Sequence, residues 1–365
     1  MNTVEHRHFE TSLGTGLPMV GVLTGSDGVR QMVTDTRERT EGTGNNDCIR
    51  MIKMLDPPVD IGRMHITPGY FRGSRRYALE RCDLLWNAIT DMDQNAETLE
   101  VARKMLTGVK KPVINPPELI PRTRRHEIPK VLANLDGVKA PKALRFKYPT
   151  LERLKRLVAD HDFKFPAIVR PVGTHSGQVV GLFNAVEDLE VIFGDRKTEY
   201  YMTEFVDVRR PDGYYHKTRL YFVGDEILIR QHIISDEWSI HGRSGRGVLA
   251  TNENLQAECR AMLVNGFEAL PAPTRAALHS IRQRVGLDYC GLDCAVVEDG
   301  SIVVFECNAT MNFKPNFLNP ATQHNRAALP RMLSALRRLI HAKTGLGPAG
   351  EGPSTSEADA QTVRA

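Results

Sequence analysis

The sequence predicts an α/β (α+β) protein in which a small parallel α/β layer precedes a larger region built on antiparallel hairpins. Three observations carry this. Strand-like apolar runs alternate with helical periodicity over residues 15–118. Two long apolar hairpin patterns, residues 217–232 and 291–308, are centred on Gly224-Asp225 and Asp299-Gly300. The chain has 365 residues, enough for two or three domains and a large core.

Taken in order, residues 19–25 are a short apolar run ending in Gly and read as a first buried strand. Residues 63–67 and 83–89 read as further strands. Apolar residues recur at helical spacing over 97–106, and residues 112–115 return to strand. The charged, Gly- and Thr-rich stretch 36–46 reads as a surface loop. Pro116-Pro117 disfavours both helix and sheet and marks a boundary. Residues 126–160 read mostly as helix, interrupted by an extended segment around 140–148. Residue 165 opens a strand-rich region. Residues 320–344 carry a helical stripe (Leu329, Met332, Leu333, Leu336, Leu339, Ile340). The Gly-, Pro- and Ser-rich tail beyond 345 is too polar to order itself. The expected domains are 1–118, 119–200 and 201–344, with a tail at 345–365.

Bulk properties exclude several classes. With 41% hydrophobic and 25% charged residues the chain is ordinary for a globular protein. A net charge of +4 is too small to imply nucleic-acid binding. No apolar run reaches bilayer length, and residues 1–8 lack the apolar core of a signal peptide. The six cysteines show neither zinc spacing nor a dense disulfide framework, so reduced thiols in a cytoplasmic protein are expected.

The chemistry concentrates in residues 291–308. Folded about Asp299-Gly300, this hairpin places Asp293 opposite Glu306, with Asn308 on the same face. Nearly all its other residues are apolar, which implies a buried sheet. Two facing carboxylates there repel and are costly to desolvate. A divalent cation resolves both problems, and oxygen-only donors suit a hard ion such as Mg2+ or Mn2+. The alternative is a proton shared between the two acids.

The hairpin over 217–232, folded about Gly224-Asp225, places Arg219 opposite Arg230 and Lys217 opposite His232. Like charges directly opposite destabilise a sheet unless an anion lies between them, and these residue types suit phosphate or carboxylate oxygens. The alternative is a solvated basic face. Upstream, Arg170-Pro171-Val172-Gly173-Thr174-His175-Ser176-Gly177-Gln178 joins two strand runs by a small polar loop whose N–H groups can meet phosphates. The next run, around Tyr200–Asp207 in strand pattern, embeds Glu204.

In this order, the pieces over roughly residues 120–318 resemble the ATP-grasp superfamily, closest to its RimK-like and glutathione-synthetase-like carboxylate–amine ligases. Asp293 with Glu306-Cys307-Asn308 matches the family's metal ligands, and the preceding α/β layer matches its usual N-terminal domain. The resemblance implies ATP and Mg2+ (or Mn2+) as cofactors. It implies that Glu204, Phe205 and Val206 form a hinge whose backbone contacts adenine. It also implies that Gly173, Thr174, His175, Ser176 and Gly177 cover the phosphates, and that Arg170, Lys217, Arg219 and Arg230 face phosphate or substrate carboxylate. Two departures stand out. Arg170 occupies a position where the family usually has Lys, and His175-Ser176 interrupt the loop glycines. Arg124, Arg125 and Lys130 are candidates for the family's other phosphate-binding cation.

The implied reaction is attack of a carboxylate on the γ-phosphate of ATP, then of an amine on the resulting acyl phosphate. Arg170 and Arg219 balance shifting charge, and Arg230 fixes the acyl phosphate or its tetrahedral oxyanion. His232 and His241 are weak candidates for a base. Arg243 and Arg246 are candidates for recognising an acidic substrate, and Lys314 and Asn316 for bordering the acceptor. The substrates are a small-molecule or peptide carboxylate and an amine, with no nucleic acid and no membrane. A homodimer is an option, since such ligases often pair. A small-molecule kinase and a non-catalytic nucleotide sensor are the alternatives.

Overall fold

A computed structural model describes residues 18–28, 44–74, 76–174, 178–240, 246–313 and 325–345. Its strands are β1 (Met19–Gly25), β2 (Asp60–Ile66), β3 (Leu84–Asn87), β4 (Val113–Ile114), β5 (Val138–Lys139), β6 (Ala143–Lys147), β7 (Ala167–Pro171), β8 (Gly181–Phe183), β9 (Glu199–Glu204), β10 (Tyr215–Val223), β11 (Glu226–Ser235), β12 (Tyr289–Val296) and β13 (Ile302–Asn308). The α-helices are α1 (Cys48–Ile52), α2 (Ala96–Leu106), α3 (Ile128–Val131), α4 (Leu151–Asp160), α5 (Arg246–Thr251), α6 (Glu253–Asn265), α7 (Ala272–Val285) and α8 (Ala328–Thr344).

They form three sheets. The first, in order β2-β1-β3-β4, is parallel, as the alternation of strand and helix predicts. The second, β6-β9-β7-β8, is antiparallel and has its own core, including Leu144, Phe146, Val169 and Met202. β9 spans the expected 200/201 boundary. The third runs β11-β10-β12-β13-β5. First and third sheets share two cores. In one, the apolar stripe of α8 (Met332, Ala335, Leu336, Leu339, Ile340) packs with Val20, Val22 and Trp86 of the first sheet and Tyr221 and Tyr289 of the third. Because all these side chains are buried, the two sheets behave as one body, with the second sheet as a separate lobe across a cleft. Asn115 joins the body further. It is fully buried in the left-handed region at φ 54°, donates through Nδ2 to the Tyr289 carbonyl (2.7 Å) and accepts from the Tyr289 N–H (2.9 Å).

Several local expectations change. Within 126–160 the expected helix is present as the single turn α3 and as α4, and the expected extended segment around 140–148 contains β6; β5 is the unexpected element, joining a different sheet from β6. At the end of the expected 36–46 surface loop, Asn45 and Asn46 are buried. Asn45 bonds both the N–H and the carbonyl of Gly25 through its side-chain amide. All six cysteines are buried and none forms a disulfide. Among the described residues no helix is long and apolar enough to cross a membrane.

Both hairpins contain a bulge, with opposite consequences. In β12–β13, Asp293 pairs with Glu306 as expected, but the connection is longer than a two-residue turn: Val296 pairs with Ile302, and residues 297–301 form the loop. A bulge at Phe305 inserts one residue and restores the expected register at the carboxylates. In β10–β11 the short turn is correct, with Val223 paired to Glu226, but a bulge between Arg219 and Leu220 shifts everything beyond it. Arg219 therefore pairs with Gln231, and His232 pairs with Thr218 rather than Lys217. Arg230 is the residue extruded by the bulge.

Candidate active site

Period-2 alternation carries one row of side chains across the third sheet. Gln231, Arg219, Asp293 and Glu306 occupy successive paired positions on β11, β10, β12 and β13. Arg219, Asp293 and Glu306 of this row, with Lys217 and Asn308, line a cavity of about 1250 Å³ between the body and the second-sheet lobe. That exceeds the roughly 300–1,000 Å³ of a typical small-ligand pocket, so it has room for a nucleotide and a second substrate. Arg125, Arg170, Glu204 and Trp238 also line it. Its lobe side is tied to the first sheet through Asp93, which accepts from Arg124 Nε (3.1 Å), Arg145 Nη1 (2.9 Å) and the Tyr201 hydroxyl (2.6 Å).

The two acids are matched by cations rather than left facing each other. Arg219 forks onto Asp293, Nε to Oδ1 at 2.7 Å and Nη2 to Oδ2 at 2.8 Å, and Lys217 Nζ lies 3.1 Å from Oδ2. Burial alone raises the Asp293 carboxyl, but Arg219 and Lys217 outweigh it and hold it well below the usual carboxylate range. Arg125 Nη2 lies 3.3 Å from Glu306 Oε1, to which the Asn308 amide also donates at 2.9 Å. Burial again opposes ionisation, yet Arg125, then Arg170 and Asn308, keep Glu306 below its ordinary value. These partners favour the ionised form of both acids over a shared proton.

Immediately around Asp293 and Glu306, four cations, Arg125, Arg170, Lys217 and Arg219, face two carboxylates. Arg125, with burial adding to its effect, pushes the Arg170 guanidinium down to about 9. Two neighbouring guanidiniums in a cavity are chemically suited to an anion rich in oxygen acceptors. The donor set also fits a hard cation. A carboxylate offers about four lone-pair sites, and the contacts from Arg219 and Lys217 use three on Asp293. One remains for an ion, beside the second Glu306 oxygen; the Asn308 amide oxygen accepts the Thr310 N–H at 2.7 Å and keeps one further lone pair.

The structure brings together Arg170, Lys217, Arg219, Asp293, Glu306 and Asn308, and of the three candidate cations it brings in Arg125 beside Glu306. Arg124 is engaged with Asp93, and Lys130 pairs with Glu127 on the surface. Arg230 is a correction. The bulge turns it out of the row, and it packs 4.6 Å over the Phe313 ring and donates from Nε to the Phe313 carbonyl, outside the cavity lining. His232 is buried on the opposite face. Glu204 accepts the N–H groups of Lys142 and Lys164 (3.3 and 2.8 Å), bracing the strand end. The Phe205 N–H donates to the Pro166 carbonyl at 2.8 Å. Phe205 and Val206 line the cavity, with Trp238 edge-on to the Phe205 ring. Gly173 and Thr174 line it too, and the Gly173 carbonyl accepts from Gln94 Nε2 at 2.9 Å. His175, Ser176, Gly177, His241, Arg243, Lys314 and Asn316 lie outside the described residues, as does the Arg246 side chain.

Sequence reasoning missed Asp93, Trp238 and Met311. Met311 had an indirect signal in Gly291, where a Cβ would collide with the Met311 side chain. Asp93 had none, because its partners are 31, 52 and 108 residues away.

No family model matches the sequence, and no curated protein matches it. Solved structures do match. The D-Ala:D-Ser ligase VanG from Enterococcus faecalis aligns with a TM-score of 0.50 at 13% identity, over 89% of this chain and 99% of that one. The ATP-grasp ligase PsnB, complexed with a minimal precursor, gives 0.49 at 14% identity, covering 87% and 99%. The D-alanine–D-alanine ligase from Bacillus anthracis, complexed with ATP, gives 0.49 at 12%, covering 91% and 100%. The cleft between lobe and body, the paired acids on its floor and this likeness over nearly the whole chain converge on one architecture: the chain has the ATP-grasp fold.

Proposed function

We propose that the protein is an ATP- and Mg2+-dependent carboxylate–amine ligase that forms an amide bond through an acyl phosphate, releasing ADP and phosphate. The observation that carries this reading is the group of four cations, Arg125, Arg170, Lys217 and Arg219, set around the carboxylates of Asp293 and Glu306 in one cavity. Such a floor suits a polyphosphate and the hard cation that travels with it. Asp293, Glu306 and Asn308 would hold Mg2+, which when bound neutralises charge on the phosphate oxygens.

The chain's own groups do the rest. Arg125 and Arg170 receive phosphate oxygens and lose their mutual repulsion when an anion lies between them. Arg219 is held rigidly by its fork on Asp293, so its remaining guanidinium edge meets developing negative charge without reorganisation. Lys217, anchored to Asp293 and to the Ile240 carbonyl (2.7 Å), ties residues 238–240 to the cavity wall. The lobe, with Phe205, Val206, Gly173 and Thr174, supplies the side that excludes water from the acyl phosphate.

Free amino acids are the first substrates to test, VanG being named for a pair of them. Cytoplasmic location and a homodimer remain part of this reading. The test is incubation with ATP, Mg2+ and pooled amino acids and dipeptides, measuring ADP alongside mass spectra of condensation products. ADP and an amide, both lost in Glu306→Gln, are expected. A phosphorylated product with no amide replaces the ligase by a kinase, and nucleotide binding with no product under any pool leaves a sensor.

A further inference from the structure

Behind the candidate site, on the opposite face of the same sheet, lies a second cluster. Thr218 and His232 are paired across β10 and β11, and alternation puts His216 on their side. α6 packs on β11 there and contributes Glu258. His216 Nδ1 is 3.3 Å from His232 Nε2 and 3.4 Å from Glu258 Oε1, and His232 Nε2 is 3.6 Å from the same oxygen. Both imidazoles are buried, whereas Glu258 is about one-third exposed (37%) and opens the cluster on one side.

The outer partners decide what these inner atoms are. Asp212 Oδ2, 2.7 Å from His216 Nε2, accepts the ring proton there and leaves Nδ1 as a lone pair. The Thr218 hydroxyl lies 2.9 Å from His232 Nδ1 and, by accepting that ring's proton, can leave Nε2 as a lone pair. In that tautomer two imidazole lone pairs and a carboxylate oxygen point at one another, the arrangement a metal ion needs. Arg210 Nη1, 3.4 Å from Glu258 Oε1, is the one cation at the cluster among the described contacts and is shared with the Val296 carbonyl.

We propose that His216 Nδ1, His232 Nε2 and Glu258 form a zinc-type transition-metal site, independent of the proposed Mg2+ site. Metal–ligand bonds of about 2.0–2.1 Å at tetrahedral angles separate donor atoms by about 3.3–3.4 Å. The three observed separations, 3.3, 3.4 and 3.6 Å, bracket one face of such a tetrahedron. Two imidazoles and a carboxylate suit zinc rather than magnesium, which takes oxygen ligands. Asp212 and Thr218 are the hydrogen-bonding groups that orient metal-bound histidines. The fourth position faces the open side beside Glu258 and takes water. The bound ion ties α6 to the hairpin that carries Lys217 and Arg219.

The test is titration of the full, tag-free, chelator-treated chain with Zn2+ in excess Mg2+, without nucleotide, followed by metal analysis after dialysis. Co2+ serves as a spectroscopic probe of tetrahedral coordination. One retained equivalent is expected, in the Glu306→Gln variant too. Glu258→Gln and His216→Gln should abolish retention, and Asp212→Asn should weaken affinity about 10–100-fold. Asp212 and Glu258 are both partly exposed (38% and 37%), so their variants decide the matter even where the His216 variant fails to fold. A wild-type chain that retains no zinc has a hydrogen-bonded triangle here and overturns the proposal. Binding untouched by the Glu258 and Asp212 variants, or lost instead in Glu306→Gln, overturns it equally.

Discussion

Replacing Asp293 by Asn separates two views of the paired carboxylates. If Asp293 and Glu306 simply repelled each other until a metal arrived, removing one charge would leave the metal-free protein as stable or make it more so. The structure argues the reverse. Asp293 is 4% exposed at its side chain and neutralises Lys217 (8%) and Arg219 (25%) at 2.7–3.1 Å. Removing one member of a buried pair costs about 3–5 kcal/mol because a charge is left without its partner. Arg219 is a quarter exposed and regains some hydration, and the Asn oxygen still accepts one hydrogen bond worth about 1 kcal/mol. The expected loss is therefore about 2–4 kcal/mol. Urea denaturation of metal-free protein, followed by tryptophan fluorescence, measures it. Because the folded carboxyl titrates below its unfolded value of about 3.9, its contribution is fully present above that pH and is lost as pH falls through the folded value. The gap between wild type and variant should hold from pH 7 to about 4 and close in stronger acid. An unchanged or higher urea midpoint for Asp293→Asn at pH 7 would refute the reasoning.

Asn115→Ala removes both hydrogen bonds to the Tyr289 backbone and puts Ala at φ 54°, so it should cost about 2–4 kcal/mol in thermal or urea unfolding. Arg230→Met should lower stability by about 1–2 kcal/mol through lost contact with Phe313. Calorimetry should find its nucleotide affinity unchanged, whereas Arg170→Met and Arg125→Met should both weaken ATP binding.

The strands at 19–25 and 83–89, the helix at 97–106 and both hairpins were legible because buried strands and amphipathic helices impose their period on the sequence. Within 126–160, α4 and the extended segment around 140–148, which contains β6, were legible, whereas the helical reading overreached beyond the single turn α3, where β5 joins a different sheet, a choice periodicity does not encode. The pairing of Asp293 with Glu306 came out correctly through two compensating departures, a longer turn and a bulge at Phe305. Arg230 shows the same reasoning without compensation. Its hairpin has the short turn, so the bulge stands alone and moves the residue out of the row.

What the sequence by itself determined is which residue types share a strand face, and hence that two acids and an amide would converge beside a basic hairpin. Alternation along an extended chain is local, so it needs no knowledge of neighbours. The tertiary structure alone decided what those acids touch. Placing β10 against β12 brings Arg219 onto Asp293 across 74 residues, and the fold carries Arg125 to Glu306 from outside the sheet altogether. Strand order and bulge position follow from the packing of whole sheets and their cores, a property of the assembled chain that no local run of residues contains.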